Sequence, residues 1–318
     1  MRYAQATEGY ETYGIETDSY EKADTGDYFG LVRDDVDYPN PNPQTAMTTG
    51  GVGRQPYVNS ADPIEREFDM TVTVIDDNVP LELALGQRET SDQADYTEHI
   101  FTETDVLPTA TIEHVQADVG LTEWFIGCKA SLDISASSGE ALTADLSFTP
   151  ADHDFEEDTV NAAEIDIPEM DPYRFNMIGE VTLSDPADGS TVDSVATPNS
   201  VDFSWDNGNE VRHHGKGREG YAVAETTAED KYDMSMGMDV EDLELYKRAA
   251  EDGASVDVEV VFDRDYSWED GGMTDAVIIT LKNCDVTEAP VPNQTEGVVE
   301  VDVGLLPTDT EIEIRSPN

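Results

Sequence analysis

Five histidines, two cysteines and 71 carboxylates are the side chains of this 318-residue chain from which catalysis or metal binding could be built. His213 and His214 form the one histidine pair, in a glycine-rich segment with Arg212, Lys216 and Arg218. Neighbouring cations oppose a metal ion, so the pair reads as part of a solvated basic loop. His99, His114 and His153 have no cysteine at the spacing of a zinc site. Cys128 and Cys284 sit in apolar runs and read as buried free thiols; the alternative, a disulfide, would require an oxidising compartment. The chain contains neither a Gly-x-Ser-x-Gly elbow nor a phosphate-cradling Gly-x-x-x-x-Gly-Lys-Ser/Thr loop. Asp263-Arg264-Asp265 and Glu269-Asp270-Gly271 do not match the twelve-residue calcium loop, which needs alternate oxygen ligands and a late Glu. These residues predict no catalytic constellation, no metal and no cofactor, and hence a protein that is not an enzyme.

What remains is charge. Asp and Glu outnumber Lys and Arg by 71 to 17, a formal net charge of -54. The acids are spread along the chain, which argues against an acidic disordered tail. Such self-repulsion is tolerable in molar salt, where the Debye length is only about 3 Å. The composition therefore predicts a protein from a salt-loving setting, whose fold depends on salt and whose surface does not attract DNA phosphates. No stretch approaches the ~20 apolar residues of a membrane span. Met1-Arg2-Tyr3-Ala4-Gln5 leads into acidic sequence without an apolar signal region, which predicts assembly in the cytoplasm.

The elements that would position these groups are strands. Glu67 to Ile75 alternates with period two, placing Met70, Val72 and Val74 on one face and Thr71 and Thr73 on the other. Further strands are expected at 111–118, 121–134 and 140–149. The second half predicts 174–184, 200–206, 221–226, 231–238, 255–262, 275–287, 296–306 and 309–314. Leu81 to Leu85 before Gly86, and Val240 to Ala250 before Gly253, read as one short helix per half. The prolines at 39, 41 and 43 force an extended run, and residues 87–110 form a long polar excursion. An arm over 1–30, a first unit at 31–150, a linker at 151–175 and a second unit at 176–318 complete an all-β reading, with two tandem barrels or sandwiches.

Four segments of the first half have echoes, in the same order, in the second. Phe68-Asp69-Met70 opens a strand as Tyr232-Asp233-Met234 does, and Leu81-Glu82-Leu83 matches Leu243-Glu244-Leu245. Leu132-Asp133-Ile134-Ser135 matches Cys284-Asp285-Val286-Thr287, and Leu142 to Leu146 matches Val299 to Val303. The ordered set points to an internal duplication, against chance likeness between alternating strands. In each copy the side chains opposite the core are short or acidic: Thr71, Thr73, Thr143, Asp145 and Ser147, then Ser235, Gly237, Glu300 and Asp302. Unpaired carboxylates cannot be buried without a penalty of several kcal/mol, so this face should meet water, expected to be that of a central channel, with the outer surface as the alternative. The few cations include Arg54 in a Gly50-Gly51-Val52-Gly53 loop, and Arg212, Lys216 and Arg218 in the second glycine-rich loop. Such basic loops are natural partners for the acidic face of a neighbouring subunit.

The order Tyr13-Gly14-Ile15-Glu16-Thr17, Phe29-Gly30-Leu31-Val32, Pro39 to Pro43, Gly50-Gly51 with Arg54, Phe68 to Val74 and Leu81 to Gly86 resembles the major tail tube proteins of long-tailed viruses. The acidic composition would make this virus one that infects haloarchaea. The resemblance implies a small barrel with a flanking helix, six of which form a ring, with stacked rings enclosing a channel through which DNA passes without specific binding. A duplicated barrel departs from the one-barrel pattern and implies three chains per ring of six. Self-association and contacts with tape measure, tail terminator and baseplate proteins follow from the same resemblance, as does a place in the virion tail. A baseplate or capsid-decorating protein, a halophilic cell-surface adhesin and a halophilic hydrolase are the competing readings.

Overall fold

Apolar residues at every second position make half-buried strands of most of this chain, and the computed structural model is built almost wholly from them. The structure describes residues 9–29, 31–32, 36, 44–47, 58–61, 66–116, 120–137, 139–157, 171–175, 181–190, 196–213, 220–224, 231–240, 255–264, 274–288 and 300–317. In chain order the first half gives β1 (Gly9–Ile15), β2 (Asp27–Tyr28), β3 (Leu31–Val32), β4 (Gln44–Met47), β5 (Val58–Ala61) and β6 (Phe68–Thr73). The helix α1 (Glu82–Leu85) precedes β7 (Gly86–Asp92), β8 (Tyr96–Glu103), β9 (Ala110–Gln116), β10 (Leu121–Ser137), β11 (Thr143–Thr149) and β12 (Asp152–Glu157). The second half gives β13 (Arg174–Phe175), β14 (Val181–Ser184), β15 (Ala196–Trp205), β16 (Glu210–His213), β17 (Gly220–Ala224) and β18 (Tyr232–Val240). It ends with β19 (Ser255–Asp263), β20 (Ala276–Glu288), β21 (Glu300–Leu306) and β22 (Asp309–Pro317).

The long strand β10 organises the rest. Its first part pairs with β9 and β12, and its last part with β11 and β15. Between them lies an irregularity at Phe125/Cys128, where Gly127 has φ +69°. A Cβ at Gly127 would come within 2.5 Å of the Tyr20 ring, so both the conformation and the contact require glycine. From β15 the sheet continues through β18, β21 and β20 to β19 and β13, and Ala141, just before β11, bridges to Arg174 in β13. The network thereby closes into a barrel. On the other side of β20, β22, β8 and β7 follow in succession.

The echoed segments keep their order in space. β11 pairs with both β6 and β10, and β21 with both β18 and β20, although the registers differ. Two tandem barrels or sandwiches were expected; the strands of the two halves form one hydrogen-bonded network, joined at β10–β15 and at β8–β22. The core is correspondingly shared. Phe68, Met70, Leu132 and Leu146 belong to the same buried cluster as Phe203, Trp205, Met236, Phe262 and Ile312. Each large side chain so buried contributes roughly 1.5–3 kcal/mol.

Polar side chains reinforce the seam. Glu103 accepts hydrogen bonds from Lys231, Tyr232 and Thr310, and Trp205 Nε1 donates to Thr310 Oγ1 at 3.0 Å. Arg264 donates to the Ile75 carbonyl, lies 3.4 Å from Asp275 and stacks 4.2 Å from the Tyr173 ring. Asn207 Nδ2 donates to the carbonyls of Ala84 and Ala130, both at 2.8 Å.

Several expectations need correction. The arm includes β1, which runs along β9 because Tyr10, Thr12 and Gly14 can satisfy a neighbouring edge without an apolar alternation. Residues 87–110 are not a loop but largely the β7–β8 hairpin, whose exposed outer strand has no apolar face to betray it. The 151–175 linker contributes strands at both ends, β12 and β13. The first helix is present, capped by Gly86 at φ +117°, where a Cβ would meet Thr104 Oγ1 at 1.9 Å. The second helix fell on Val240 to Ala250; Val240 closes β18, and 241–250 lies outside the described residues, as do the 39–43 and 50–53 segments. Among the described residues no helix is long and apolar enough to cross a membrane.

Candidate functional site

Six neighbouring strands, β6, β11, β10, β15, β18 and β21, present one face to the core and the other away from it. The inward residues are apolar: Met70, Val72, Ala144, Leu146, Leu132, Ile134, Phe203, Trp205, Met234, Met236, Val303 and Leu305 are all buried. Antiparallel register carries the opposite parity from strand to strand. One row runs Thr71, Asp145, Asp133, Ser204, Asp233. The next runs Thr73, Thr143, Ser135, Asp202, Ser235, Gly304. A third joins Ser137, Ser200, Gly237 and Asp302, and Asp69 faces Ser147 and Ser131 at the far end. Every position in these rows is Asp, Ser, Thr or Gly.

The hydroxyls bind across the strands. Ser147 Oγ donates to Asp69 Oδ1 at 2.7 Å, and Ser135 Oγ lies 3.1 Å from Thr143 Oγ1. The carboxylates, in contrast, face one another. Asp133 and Asp145 are direct cross-strand partners, a placement in which like charges are destabilising. Asp202 is held above the usual carboxylate range, first by partial burial and then by the charges of Asp133, Asp233 and Asp145. The rows hold no cation for a phosphate to pair with. They present carboxylates and short hydroxyls.

The residues expected to be free therefore come together from both halves, with two corrections. Thr73, Thr143 and Gly237 lie on this face but are buried, the two threonines at the end where the Tyr173 backbone bonds to Val74 and Leu142. Thr71, Asp145 and Ser235 are half-buried, and Ser147 and Asp302 are exposed. The backbone of Glu300 pairs opposite Asp239, and its side chain is outside the described set. The face also contains Asp69, Ser131, Asp133, Ser135, Ser137, Ser200, Asp202, Ser204 and Asp233, which sequence reasoning did not include. Their signal was available in Leu132-Asp133-Ile134-Ser135 and Val201-Asp202-Phe203-Ser204, where the same alternation holds.

The expected basic loop is only partly described. Arg212 is exposed on β16 and lies 3.1 Å from Glu210 of its own strand. Arg54, Lys216 and Arg218 lie outside the described residues. His99, His114 and His153 each face a carboxylate, Asp77, Glu11 and Glu123, at 3.1, 3.1 and 3.2 Å. Among the described residues no group of three or more His, Cys, Asp or Glu is arranged to hold a metal ion. Cys128 and Cys284 are both free and buried; burial pushes the Cys128 thiol well up and Cys284 to about 12. No protein-family model matches the chain, and no curated protein matches it in sequence.

Proposed function

We propose that this chain is a structural subunit that associates with copies of itself into stacked rings, and that the polar face lines the channel they enclose. The reading belongs to the tail tube of a long-tailed virus of a salt-loving host, built in the host cytoplasm and carried in the virion. The observation that supports it most is the continuity of that face over six strands from both halves, with no cation in the rows between Asp69 and Asp302; Lys129, one step beyond Ser131 on β10, is buried. A conduit for DNA needs such a wall: negative charge repels the phosphates, and short side chains leave nothing to grip. Six strands at about 4.8 Å spacing make an arc of roughly 25–30 Å, so one chain supplies only part of a wall and several must combine. The echoed order of β6, β11, β10 and β18, β21, β20 favours two equivalent places per chain, hence three chains in a ring of six. Tape measure, terminator and baseplate proteins are the partners such a tube requires.

Negative-stain microscopy of the purified chain in molar salt tests this reading. Rings or tubes with a central hole are expected. Isolated globules at every salt and protein concentration would reject the conduit in favour of a decorating or adhesive role.

A further inference from the structure

The imidazole of His99 occupies a position that only its neutral form can hold. It lies on β8, between β7 and the loop that leads from β6 into α1. Its Nδ1 is 3.0 Å from Arg88 Nη2 and 3.0 Å from Thr90 Oγ1. A guanidinium can only donate, so Nδ1 must accept with its lone pair. The ring proton therefore sits on Nε2, which lies 3.1 Å from Asp77 Oδ2. Arg88 itself donates to Asp77, and its Nη1 is 4.0 Å from Glu82 Oε1. Arg88 also lies 5.5 Å over the Phe101 ring. The charged groups that bear on His99 are Asp77 from the loop, Arg88 and Asp92 from β7, and, through Arg88, Glu82 of α1. From β22 the residue opposite is the buried, apolar Ile314.

A second proton on His99 would turn its one acceptor into a donor aimed at a donor and set two cations about 3 Å apart. The ring could then remain only if Arg88 left, and Arg88 is what ties β7 to the Asp76–Leu81 loop. We propose that His99, Arg88, Thr90 and Asp77 form an acid-sensitive clasp that holds the β7–β8 hairpin to this loop and opens when His99 is protonated. His114 and His153 each place a ring nitrogen beside a carboxylate, Glu11 at 3.1 Å and Glu123 at 3.2 Å, where a second proton adds to the attraction.

The sign follows from the imidazole's environment. Burial, as the largest cause, holds its proton affinity below the ordinary value; Asp77 opposes this, Arg88 adds to it, and Asp92 opposes it weakly. A group that binds protons less readily when closed than when open gives full stability above the open-state value of about 6.5 and loses it as pH falls. Glu82 works in the opposite direction, since burial raises its affinity and closure gains as it takes up a proton.

Hydrogen exchange of residues 86–103, corrected for intrinsic rates and measured at constant molar salt from pH 8 to pH 5, tests the clasp. Protection should be level down to about pH 6.5 and then fall by up to tenfold per pH unit until the closed form takes the proton. His99→Gln, which can accept from Arg88 and donate to Asp77 but cannot titrate, should remove that fall. Arg88→Gln removes the opposing cation while leaving Asp77, and should make the fall smaller or abolish it, because a closed hairpin then tolerates the proton. Hairpin protection that does not change with pH in the unaltered chain would overturn the proposal. So would an identical fall in His99→Gln, which would assign the effect to the carboxylates.

Discussion

Carboxylates are treated in opposite ways at the seam between the halves and on the polar face. At the seam, Glu103 is shielded and receives donors from Lys231, Tyr232 and Thr310, and Asp275 is held by Arg264. On the polar face, Asp133 stands across from Asp145, with Asp202 and Asp233 on the adjoining strands. The first pattern is what burial demands, since an uncompensated charge inside costs several kcal/mol. The second is tolerable only where water and salt reach the carboxylates, and it gives up stability. The polar face thus keeps like charges together at a cost to the fold, and its rows between Asp69 and Asp302 hold no cation.

The two regions respond differently to perturbation. The largest effect is expected from removing salt. Dialysis from molar salt to dilute buffer lengthens the screening distance from about 3 Å to 30 Å and frees the repulsion of a chain with net charge -54. Circular dichroism should report loss of β structure, and unaltered spectra in dilute buffer would contradict the salt argument.

Next come substitutions at the seam. Arg264→Met leaves Asp275 without its cation and removes the bond to the Ile75 carbonyl, and should destabilise by about 2–4 kcal/mol in denaturant titration. Glu103→Ala should have a similar effect, and a loss below about 0.5 kcal/mol in both would remove the contrast between seam and face.

On the polar face the sign should reverse. Asp202→Asn keeps the shape but deletes one of four mutually repelling carboxylates, so it should stabilise by roughly 0.2–1 kcal/mol and reduce the salt needed for folding. Its gain should be greatest at neutral pH and vanish in acid. The native Asp202 binds protons more readily folded than unfolded, so its own penalty is already relieved when pH falls through that raised value. A destabilised Asp202→Asn would mean that this carboxylate has a partner after all.

Much of this arrangement is legible in the sequence. Alternation locates β6, β10, β11, β18 and β21 and separates Met70 and Val72 from Thr71 and Thr73, because a strand with one buried face must alternate. Gly86 marks the end of α1 through a backbone conformation that other residues avoid. The β7–β8 hairpin escapes for a physical reason: Gln87, Glu89, Ser91 and Asp92 are exposed, so their strand shows no apolar alternation, and backbone pairing and polar side chains hold it. The union of the halves is not visible either. Leu132 beside Trp205, or Ile312 beside Phe101, are pairings across long separations that no local pattern encodes. The polar face is half legible, since each strand declares its parity but only the register makes separate strands into one surface.

Where that surface lies in an assembly is the central question, and electron cryomicroscopy of particles formed in molar salt answers it most directly. A conduit requires Thr71, Asp145, Asp133, Asp202, Ser235 and Asp302 to border the central channel. Asp145→Lys with Asp302→Lys should then leave tubes intact yet slow DNA passage, an effect that fades as salt rises. Finding the same residues on the outer wall, or buried between subunits, would contradict the conduit.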